Sequence, residues 1–286
     1  MNRNILVTGQ NGFMGSNIYD YFVRDYKVNL FPSKISMSSN VNCFSAYAII
    51  HCANDGSDND NGIKSNLSMF NNLMMLYKLL EVNDCKRIFY FGSGSEYDKR
   101  NHIQMVTEDE IGKSVPIDKR GFVKYVMNMI ARESNNIYNL RLFGVFGEND
   151  FRVLHKRVIY NLCIRAINHM ELIVKDNHKY DFLYIKDLVK IVAKFLHKEK
   201  LMYHDYNVCS GEVIDFVEIA KIVKKISGED RLNIKVENDN GMYYGGNNER
   251  MISEIGKIGF TPIEESIESV YKWIHDNKHL CVVDKL

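Results

Sequence analysis

The sequence predicts an α/β protein built on a doubly wound parallel sheet, with a smaller lobe towards the C-terminus. Short apolar runs alternate with stretches of helical periodicity, and glycines lie between the first apolar run and the first helical stretch. The alternation becomes less regular beyond about residue 148. Strands that alternate with helices form parallel sheets through right-handed crossovers. With 286 residues, 45% of them hydrophobic, the chain can bury one large core or two smaller ones.

The first half of the chain supplies the main sheet. Its apolar runs have the length of strands and cover residues 5–7, 28–31, 48–52, 87–91 and 137–143. The stretches of helical periodicity between them cover about 16–24, 64–82 and 122–133. We therefore predict a first domain over residues 1–150.

A smaller α/β lobe is predicted over residues 151–286. Helices are expected at about 151–169, 185–196, 216–227 and 264–276, and a strand at 206–208. A return segment, about 185–211, is expected to bring this strand back to the main sheet.

Composition argues against several classes of function. The formal net charge is +1 without a block of like charge, so nothing favours nucleic acid or an anionic membrane as a partner. No apolar run approaches the roughly 20 residues of a membrane span, and no signal-peptide pattern precedes the first strand, so a cytoplasmic protein is expected. The six cysteines are scattered without zinc spacing, which favours small buried side chains over metal ligands or disulfides.

Three glycines follow the first strand and open the first helix. The first permits a tight turn, the second lets the backbone approach a pyrophosphate, and the third lets the helix pack on the strand. The helix N-terminus adds N–H donors and a favourable dipole. We therefore predict a dinucleotide site of the Rossmann type, with a ligand-free glycine turn as the alternative, at Gly9, Asn11, Gly12, Phe13, Met14 and Gly15.

The segment after the second strand favours NADP(H) over NAD(H). An NAD site usually carries an acid there that accepts hydrogen bonds from the ribose 2′-hydroxyl. This sequence has no Asp or Glu between Val28 and Asn54, whereas Ser33 and Lys34 offer a hydroxyl and a cation to a 2′-phosphate. In the alternative interpretation Lys34 is an ordinary solvated lysine.

Motifs in a recognisable order run along nearly the whole chain. They are TGQNGFMG at 8–15, IIHCAN at 49–54, RIFYFGSGSEY at 87–97, RLFGVFG at 141–147, YDFLYIKDL at 180–188 and YNVCSG at 206–211. Together they resemble the extended short-chain dehydrogenase/reductase family of nucleotide-sugar epimerases, dehydratases and 4-keto reductases. The resemblance implies an NAD(P) cofactor contacted also by Cys52, Ala53 and Phe143, and a nucleotide-sugar substrate held by the smaller lobe.

The resemblance also implies a catalytic serine, tyrosine and lysine, of which one is replaced. Ser93 precedes Tyr97 by four residues and matches the serine at the reacting oxygen, although a serine that only caps a turn is the alternative. Lys124 matches the lysine that holds the nicotinamide ribose. Four residues earlier, in place of the tyrosine, stands Arg120. A guanidinium stays protonated, so it can stabilise an oxyanion or hold a phosphate but cannot shuttle a proton.

Three interpretations follow. In the first, the protein is still a reductase of a 4-keto nucleotide sugar or an epimerase, Arg120 polarises the carbonyl group, and the proton comes from Tyr97 or from a water relayed by Ser93. In the second, Arg120 binds the substrate and the enzyme does different chemistry on a keto sugar, with Ser95 or Glu96 near the acid/base position. In the third, it is a degenerate member or a sensor that binds cofactor or nucleotide sugar.

Cations of the second lobe are candidates for binding the substrate diphosphate. They are Arg152, Arg157, Arg165, Lys179 and Arg250, with Arg152 and Arg250, the latter expected in a loop, in the best positions. Gly144 and Tyr180 replace an Asn and an Arg of the family pattern, which indicates an unusual sugar or base. By resemblance alone, two helices, 64–82 and 122–130, are expected to pair in a homodimer, although core packing also explains their apolar spacing.

Overall fold

A computed structural model describes residues 4–24, 26–30, 39–41, 44–55, 63–150 and 157–278. Three predicted site residues, Ser33, Lys34 and Arg152, lie outside these ranges. In chain order the helices and strands are β1 (Asn4–Thr8), α1 (Phe13–Phe22), β2 (Lys27–Leu30), β3 (Ala48–His51), α2 (Ile63–Leu79), β4 (Arg87–Ser93), β5 (Ile103–Val106), α3 (Lys119–Glu133), β6 (Ile137–Leu142), β7 (Gly144–Phe146), α4 (Val158–Ile167), β8 (Leu172–Asp176), β9 (Lys179–Tyr184), α5 (Ile185–His197), β10 (Asp205–Val208), β11 (Val213–Asp215), α6 (Phe216–Ser227), β12 (Ile234–Asn238), β13 (Tyr243–Gly246), α7 (Glu249–Ile255) and α8 (Ile263–Asp276).

The main sheet confirms the predicted fold class. Its described strands are all parallel and follow the order β2-β1-β3-β4-β6-β10. The chain changes direction across the sheet between β1 and β3, since β2 lies on one side of β1 and β3 on the other. Ligands of doubly wound sheets bind at the carboxyl ends of the strands beside such a switch point.

Helices cover both faces of this sheet. Alternate residues of a strand point to opposite faces, so Ile5 packs with α1 and α5 while its neighbour Leu6 packs with α2 and α3. The central strands are therefore buried on both sides, and all four residues of β3 are buried. This explains why they appear in the sequence as continuous apolar runs rather than as alternating ones.

The remaining strands form smaller sheets. Four strands follow the order β11-β9-β13-β5, β7 also pairs with β9, and β12 pairs with β8. Helices α4, α6 and α8 pack together beside them. The sequence did not predict most of these strands, because each has only three to six residues, which is too short to show a clear apolar period.

One local prediction needs correction. Arg250 was expected in a loop but lies in helix α7, whose seven residues are too few for a readable helical period. Helix α4 (Val158–Ile167) lies within the predicted range 151–169, of which residues 151–156 lie outside the described ranges. Across the part of the chain that the structure describes, no helix is long and apolar enough to cross a bilayer.

Candidate active site

The glycine turn brings the end of β1 into backbone contact with the end of β3. Gly9 has φ of +70°, and a Cβ atom at this position would lie 2.6 Å from the backbone nitrogen of Ala53. The N–H group of Gly12 donates to the Gly9 carbonyl oxygen at 2.9 Å. A Cβ atom at Gly15 would lie 2.2 Å from that same oxygen. Gly9 and Gly15 therefore cannot carry a side chain without moving the backbone.

The same turn fits a pyrophosphate. Helix α1 begins after Gly12 without a side-chain cap, and its first turn has no acidic residue. The first N–H groups of a helix have no partner within the helix and carry a partial positive charge. Because Gly12 has no side chain, the backbone there is open to close approach by a ligand. The predicted cofactor residues Asn11, Phe13 and Met14 belong to this turn.

Thr8 and His51 hold the other side of the switch point. Thr8 Oγ1 accepts a hydrogen bond from the Ala53 N–H group at 3.2 Å and lies 2.7 Å from His51 Nδ1. Burial, aided by the positive charge of Lys124, lowers the pKa of His51 to about 3. The imidazole is thus neutral near pH 7, and Cys52 and Ala53 are held against the glycine turn.

A cavity of about 860 Å³ opens between the main sheet and the smaller lobe. The main sheet and the segments that follow its strands contribute Phe13, Met14, Gly92, Ser93, Arg120, Leu142 and Phe143. The lobe contributes Arg157, Lys175, Asp176 and an aromatic group, His178, Tyr180, Phe182 and Phe216. The lining thus combines cations with stacked rings, a chemistry suited to an anionic ligand that carries a planar group.

Ser93 lies at the carboxyl end of β4 and lines this cavity. Its Oγ atom accepts hydrogen bonds from the Ser95 N–H group at 3.2 Å and the Ser95 hydroxyl at 2.9 Å. Both acceptor positions of the Ser93 oxygen are therefore used, and its own hydrogen remains for Tyr244, 3.5 Å away, or for a ligand. Ser93 also caps the turn at Gly94–Glu96, so both interpretations of this serine are compatible with the structure.

Helix α3 presents Arg120 and Lys124 on successive turns. Asp118 caps the helix by accepting from the Gly121 N–H group at 2.8 Å. A Cβ atom at Gly121 would lie 2.4 Å from the Ser95 carbonyl oxygen, so glycine allows the helix to approach the end of β4. Arg120 lines the cavity, while Lys124 Nζ donates to the Phe91 carbonyl oxygen at 2.9 Å.

Tyr97 and Glu96 point into the core instead of the cavity. The Tyr97 hydroxyl donates to Asn207 Oδ1 at 2.8 Å and accepts from Arg141, and burial raises the pKa of Tyr97. Glu96 is fully buried and forms an ion pair with Arg141 at 2.7 Å. The structure therefore contradicts the hypothesis that Tyr97 supplies the proton, and it assigns Glu96 to the core network.

Ser95 does not line the cavity either. Its side chain is buried, and its hydroxyl donates to Ser93. Ser95 was predicted near the acid/base position, in reach of substrate; the structure instead gives it an indirect role, in which it orients Ser93.

Two predicted substrate cations also lie elsewhere. Arg250 pairs with Asp109 at 2.7 Å, lies near Glu108 and Asp205, and stacks on the ring of Tyr203. Lys179 is exposed at the start of β9 and does not line the cavity, although both of its chain neighbours do. Strand alternation explains this, because residues 178 and 180 share a face that residue 179 does not.

The structure adds two residues that the sequence did not reveal. Lys175 lines the cavity on β8 together with its neighbours Ile173, Val174 and Asp176, so no period in the sequence singled it out. Tyr244, on β13, brings its hydroxyl to Ser93 from 151 positions away in the chain. No local pattern could indicate that contact.

Comparisons with known proteins place this geometry in a family. Residues 5–209 match the model of the NAD dependent epimerase/dehydratase family. An uncharacterized protein of Methanocaldococcus jannaschii is 21% identical over 335 residues, which cover 96% of this chain and 97% of that protein.

Solved structures share the fold over nearly the full length. UDP-N-acetylglucosamine 4-epimerase from Methanobrevibacter ruminantium superposes with a TM-score of 0.82 at 16% identity, over 96% of this chain and 99% of that one. GDP-L-fucose synthetase from Naegleria fowleri bound to NADP gives 0.79 at 16% identity, over 97% and 94%. UDP-glucose 4-epimerase from Thermotoga maritima gives 0.78 at 19% identity, over 96% and 99%. Because the family model spans most of the chain and the glycine turn fits a dinucleotide, this protein belongs to the NAD dependent epimerase/dehydratase family.

Proposed function

We propose that this protein is an NAD(P)H-dependent reductase of a 4-keto nucleotide sugar that serves the synthesis of deoxysugars or polysaccharide precursors. The observation that carries the proposal is the placement of the Ser93 hydroxyl and the Arg120 guanidinium on one cavity, at the carboxyl end of β4. A ketone that is reduced gains negative charge and then a proton on its oxygen. A permanently charged guanidinium and a hydroxyl donor match that change.

Each part of the site has a role in this proposal. The turn from Gly9 to Gly15 would hold the cofactor diphosphate and Lys124 the nicotinamide ribose, and the bound reduced nicotinamide supplies a hydride. Ser93 donates a hydrogen bond to the carbonyl oxygen, and Arg120 stabilises the charge that develops there. Phe143 lines the cavity close to Ser93 and helps to exclude water.

The lobe side of the cavity suits a nucleoside diphosphate. Arg157 and Lys175 offer positive charge to the phosphates. The rings of His178 and Tyr180 stack with centroids 5.7 Å apart, and Phe216 lies edge-on to Tyr180 at 5.1 Å, so a base has a platform. Solved neighbours that contain UDP-glucose or UDP-N-acetylmuramic acid support this substrate class. Arg152 remains a further candidate.

A 4-epimerase is the second candidate, because two of the solved neighbours described above are 4-epimerases. An epimerase removes and returns a proton on the same hydroxyl, which requires a base. Arg120 cannot act as one, so an epimerase would need a different group as its base. A member that binds its ligands without turnover is the third possibility.

One assay separates these candidates. The protein is mixed with NADPH or NADH and a 4-keto nucleotide sugar, and nicotinamide absorbance is followed; in parallel it receives UDP-hexoses with NAD⁺. Loss of absorbance with the keto sugar is the expected result. Formation of a 4-epimer without net cofactor consumption would identify an epimerase, and thermal stabilisation by ligands without either reaction would identify a binding protein.

We further propose a preference for NADP(H), on the basis of Ser33, Lys34 and the missing acid after β2. The solved neighbours include complexes with NAD and with NADP, so they leave the choice to experiment. NADPH should raise the melting temperature more than NADH does, and Lys34→Glu should remove that difference. A larger shift with NADH would contradict the preference.

A further inference from the structure

We propose that Tyr244 replaces the tyrosine missing at position 120, and that it supplies the proton which Ser93 passes to the substrate oxygen. The inference rests on the proposed reductase function and names the proton source that the reaction needs. Arg120 cannot be that source, and Tyr97 is turned into the core.

The fold fixes the Tyr244 hydroxyl beside Ser93. Tyr244 lies on β13 between β5 and β9, pairs with Ile103 and Tyr180, and is only 7% exposed. Its oxygen is 3.5 Å from Ser93 Oγ. A Cβ atom at Gly94 would lie 2.7 Å from the Tyr244 hydroxyl, so the glycine that follows Ser93 provides the space for this contact.

Aromatic packing restricts the Tyr244 ring. The ring centroids of Phe143 and Tyr180 lie 5.3 and 5.1 Å from that of Tyr244. Both neighbours line the cavity, so Tyr244 stands one layer behind the cavity wall, with Ser93 between its hydroxyl and the substrate space. This placement suits a relay through Ser93 rather than direct contact with substrate.

The surroundings keep the phenol protonated until Ser93 loses its own proton to the substrate oxygen. Burial is the main cause that raises the pKa of Tyr244; the hydrogen bond with Ser93 acts in the opposite direction, and Tyr180, Glu96 and Asp118 raise the pKa further. The Lys99 ammonium group lies 5.9 Å from the ring centroid, within the range of a cation–π contact. The two hydrogen bonds that Ser93 Oγ accepts from Ser95 stabilise negative charge on the serine oxygen during transfer.

The proton and electrons balance in this scheme. The carbonyl carbon receives a hydride with its electron pair from the reduced nicotinamide, and the π pair of the C=O bond moves onto oxygen. That oxygen takes the Ser93 proton. Because Ser93 Oγ already accepts two hydrogen bonds from Ser95, it takes the Tyr244 proton only as its own proton leaves and frees a third electron pair on the serine oxygen. Solvent then reprotonates the phenolate, so one ketone, one reduced nicotinamide and one proton give one alcohol and one oxidised nicotinamide.

The first test compares Tyr244→Phe with Tyr243→Phe, a neighbour on the same strand that does not line the cavity. Loss of a proton donor should lower kcat by about 100-fold or more in Tyr244→Phe, with KM and thermal stabilisation by the cofactor nearly unchanged. Tyr243→Phe should behave as the wild type. A Tyr244→Phe variant that folds and keeps its kcat would overturn the assignment.

The second test does not depend on that variant's folding. Replacement of Tyr244 by 3-fluorotyrosine keeps the ring and makes the phenol more acidic, so the pH profile of kcat should move to lower pH, whereas the same replacement at Tyr243 should not move it. The ¹⁹F resonance at position 244 should shift when the nucleotide sugar binds, even without turnover. An unmoved profile in an active enzyme, or an unmoved resonance at saturation, would contradict the relay. Wild-type protein that binds ligands but reduces no keto sugar would overturn the reductase function and this inference together.

Discussion

Arg120 stands where a proton donor is expected, and its fixed charge decides what the cavity can do. A guanidinium that lines the cavity stabilises negative charge on an oxygen without changing its own protonation state. In the family pattern one tyrosine acts on the reacting oxygen. In the proposal two groups share this function: Arg120 provides the positive charge and a separate group provides the proton. Each of these roles has its own kinetic consequence.

Replacement of Arg120 by Met tests the electrostatic role. Removal of one preorganised group that stabilises an oxyanion lowers kcat by about 10²–10³-fold, and Arg120→Lys should recover part of the loss. Lys119→Met is the matched control, because Lys119 is an exposed cation of the same helical turn that does not line the cavity. Equal rates in Arg120→Met and wild type would exclude Arg120 from the reaction.

His51 predicts a pH dependence of stability. Its pKa is about 3 in the folded protein and about 6.5 in the unfolded chain, so between these values the unfolded chain binds the extra proton. The contribution is complete above pH 6.5 and is lost as the pH falls towards 3. The stability lost between pH 7.5 and pH 5 should amount to about 2 kcal/mol.

Urea unfolding of the cofactor-free protein at pH 7.5 and pH 5 measures this contribution. His51→Asn keeps a polar group near Thr8 but cannot titrate, so it should lose less free energy of unfolding between the two pH values than the wild type does. Exposed histidines contribute equally to both proteins and cancel. Equal losses would show that the neutral state of His51 does not contribute to stability.

Local chemistry was readable from the sequence, and contacts between distant segments were not. The turn at Gly9 and Gly15 was predictable because a dinucleotide turn requires its glycines at fixed spacing within one segment. Tyr97 was misplaced because its side chain faces Arg141 and Asn207, which come from β6 and β10. Tyr244 reaches Ser93 only through the pairing of β13 with β5 and β9, which no short pattern encodes.

Helix α1 and the turn before it connect the fold to cofactor binding. Gly15 is needed for the helix to pack on the strand, since a Cβ atom there would meet the Gly9 oxygen at 2.2 Å. At Gly12 a Cβ atom would meet only that oxygen, at 3.3 Å, and the backbone has an ordinary extended conformation. The packing of the helix on the strand thus requires glycine at position 15, whereas at position 12 the proposed pyrophosphate contact requires it.

Alanine substitutions should separate these two requirements. Gly12→Ala should leave the melting temperature of the free protein nearly unchanged and lower cofactor affinity at least 10-fold, because the methyl group occupies the space of the pyrophosphate. Gly15→Ala should lower both, although alanine usually stabilises a helix by about 1 kcal/mol relative to glycine. Gly259→Ala, with no atom within 4 Å of its Cβ position, is the control. Unchanged affinity in Gly12→Ala would contradict the assigned cofactor site.

A buried ionic network ties the parts of the molecule together behind the site. Arg141 is fully buried on β6 and pairs with Glu96 after β4 and with Asp205 on β10, each within 2.9 Å. Arg250 of α7 joins Asp205 to the segment at Glu108. Removal of one partner from such a network leaves an unpaired buried charge, which destabilises the fold. Because Glu96 lies in the turn after β4, the network also helps to hold the end of β4, and with it Ser93, in place.

Helices α2 and α3 present the surface that a homodimer would use. They pack side by side on one face of the main sheet and expose apolar side chains to solvent. On α2, Leu67, Phe70 and Tyr77 are 56%, 55% and 63% exposed, and on α3 Phe122 and Ile130 are about 40% exposed. An apolar patch shared by two neighbouring helices is typical of a protein interface rather than of scattered surface residues.

Light scattering after gel filtration tests the dimer. If the α2–α3 patch meets its own copy, wild-type protein should elute with about twice the 33.3 kDa mass of the chain. Phe70→Glu would put a carboxylate from each copy into that proposed interface and should give the monomer mass with an unchanged fold by circular dichroism. Met202→Glu, at an apolar residue that is 78% exposed and lies outside α2 and α3, should remain dimeric. A monomeric wild type at micromolar concentration would exclude the dimer. A dimeric Phe70→Glu variant would place the interface elsewhere, and in either case the exposed rings of α2 would need another partner.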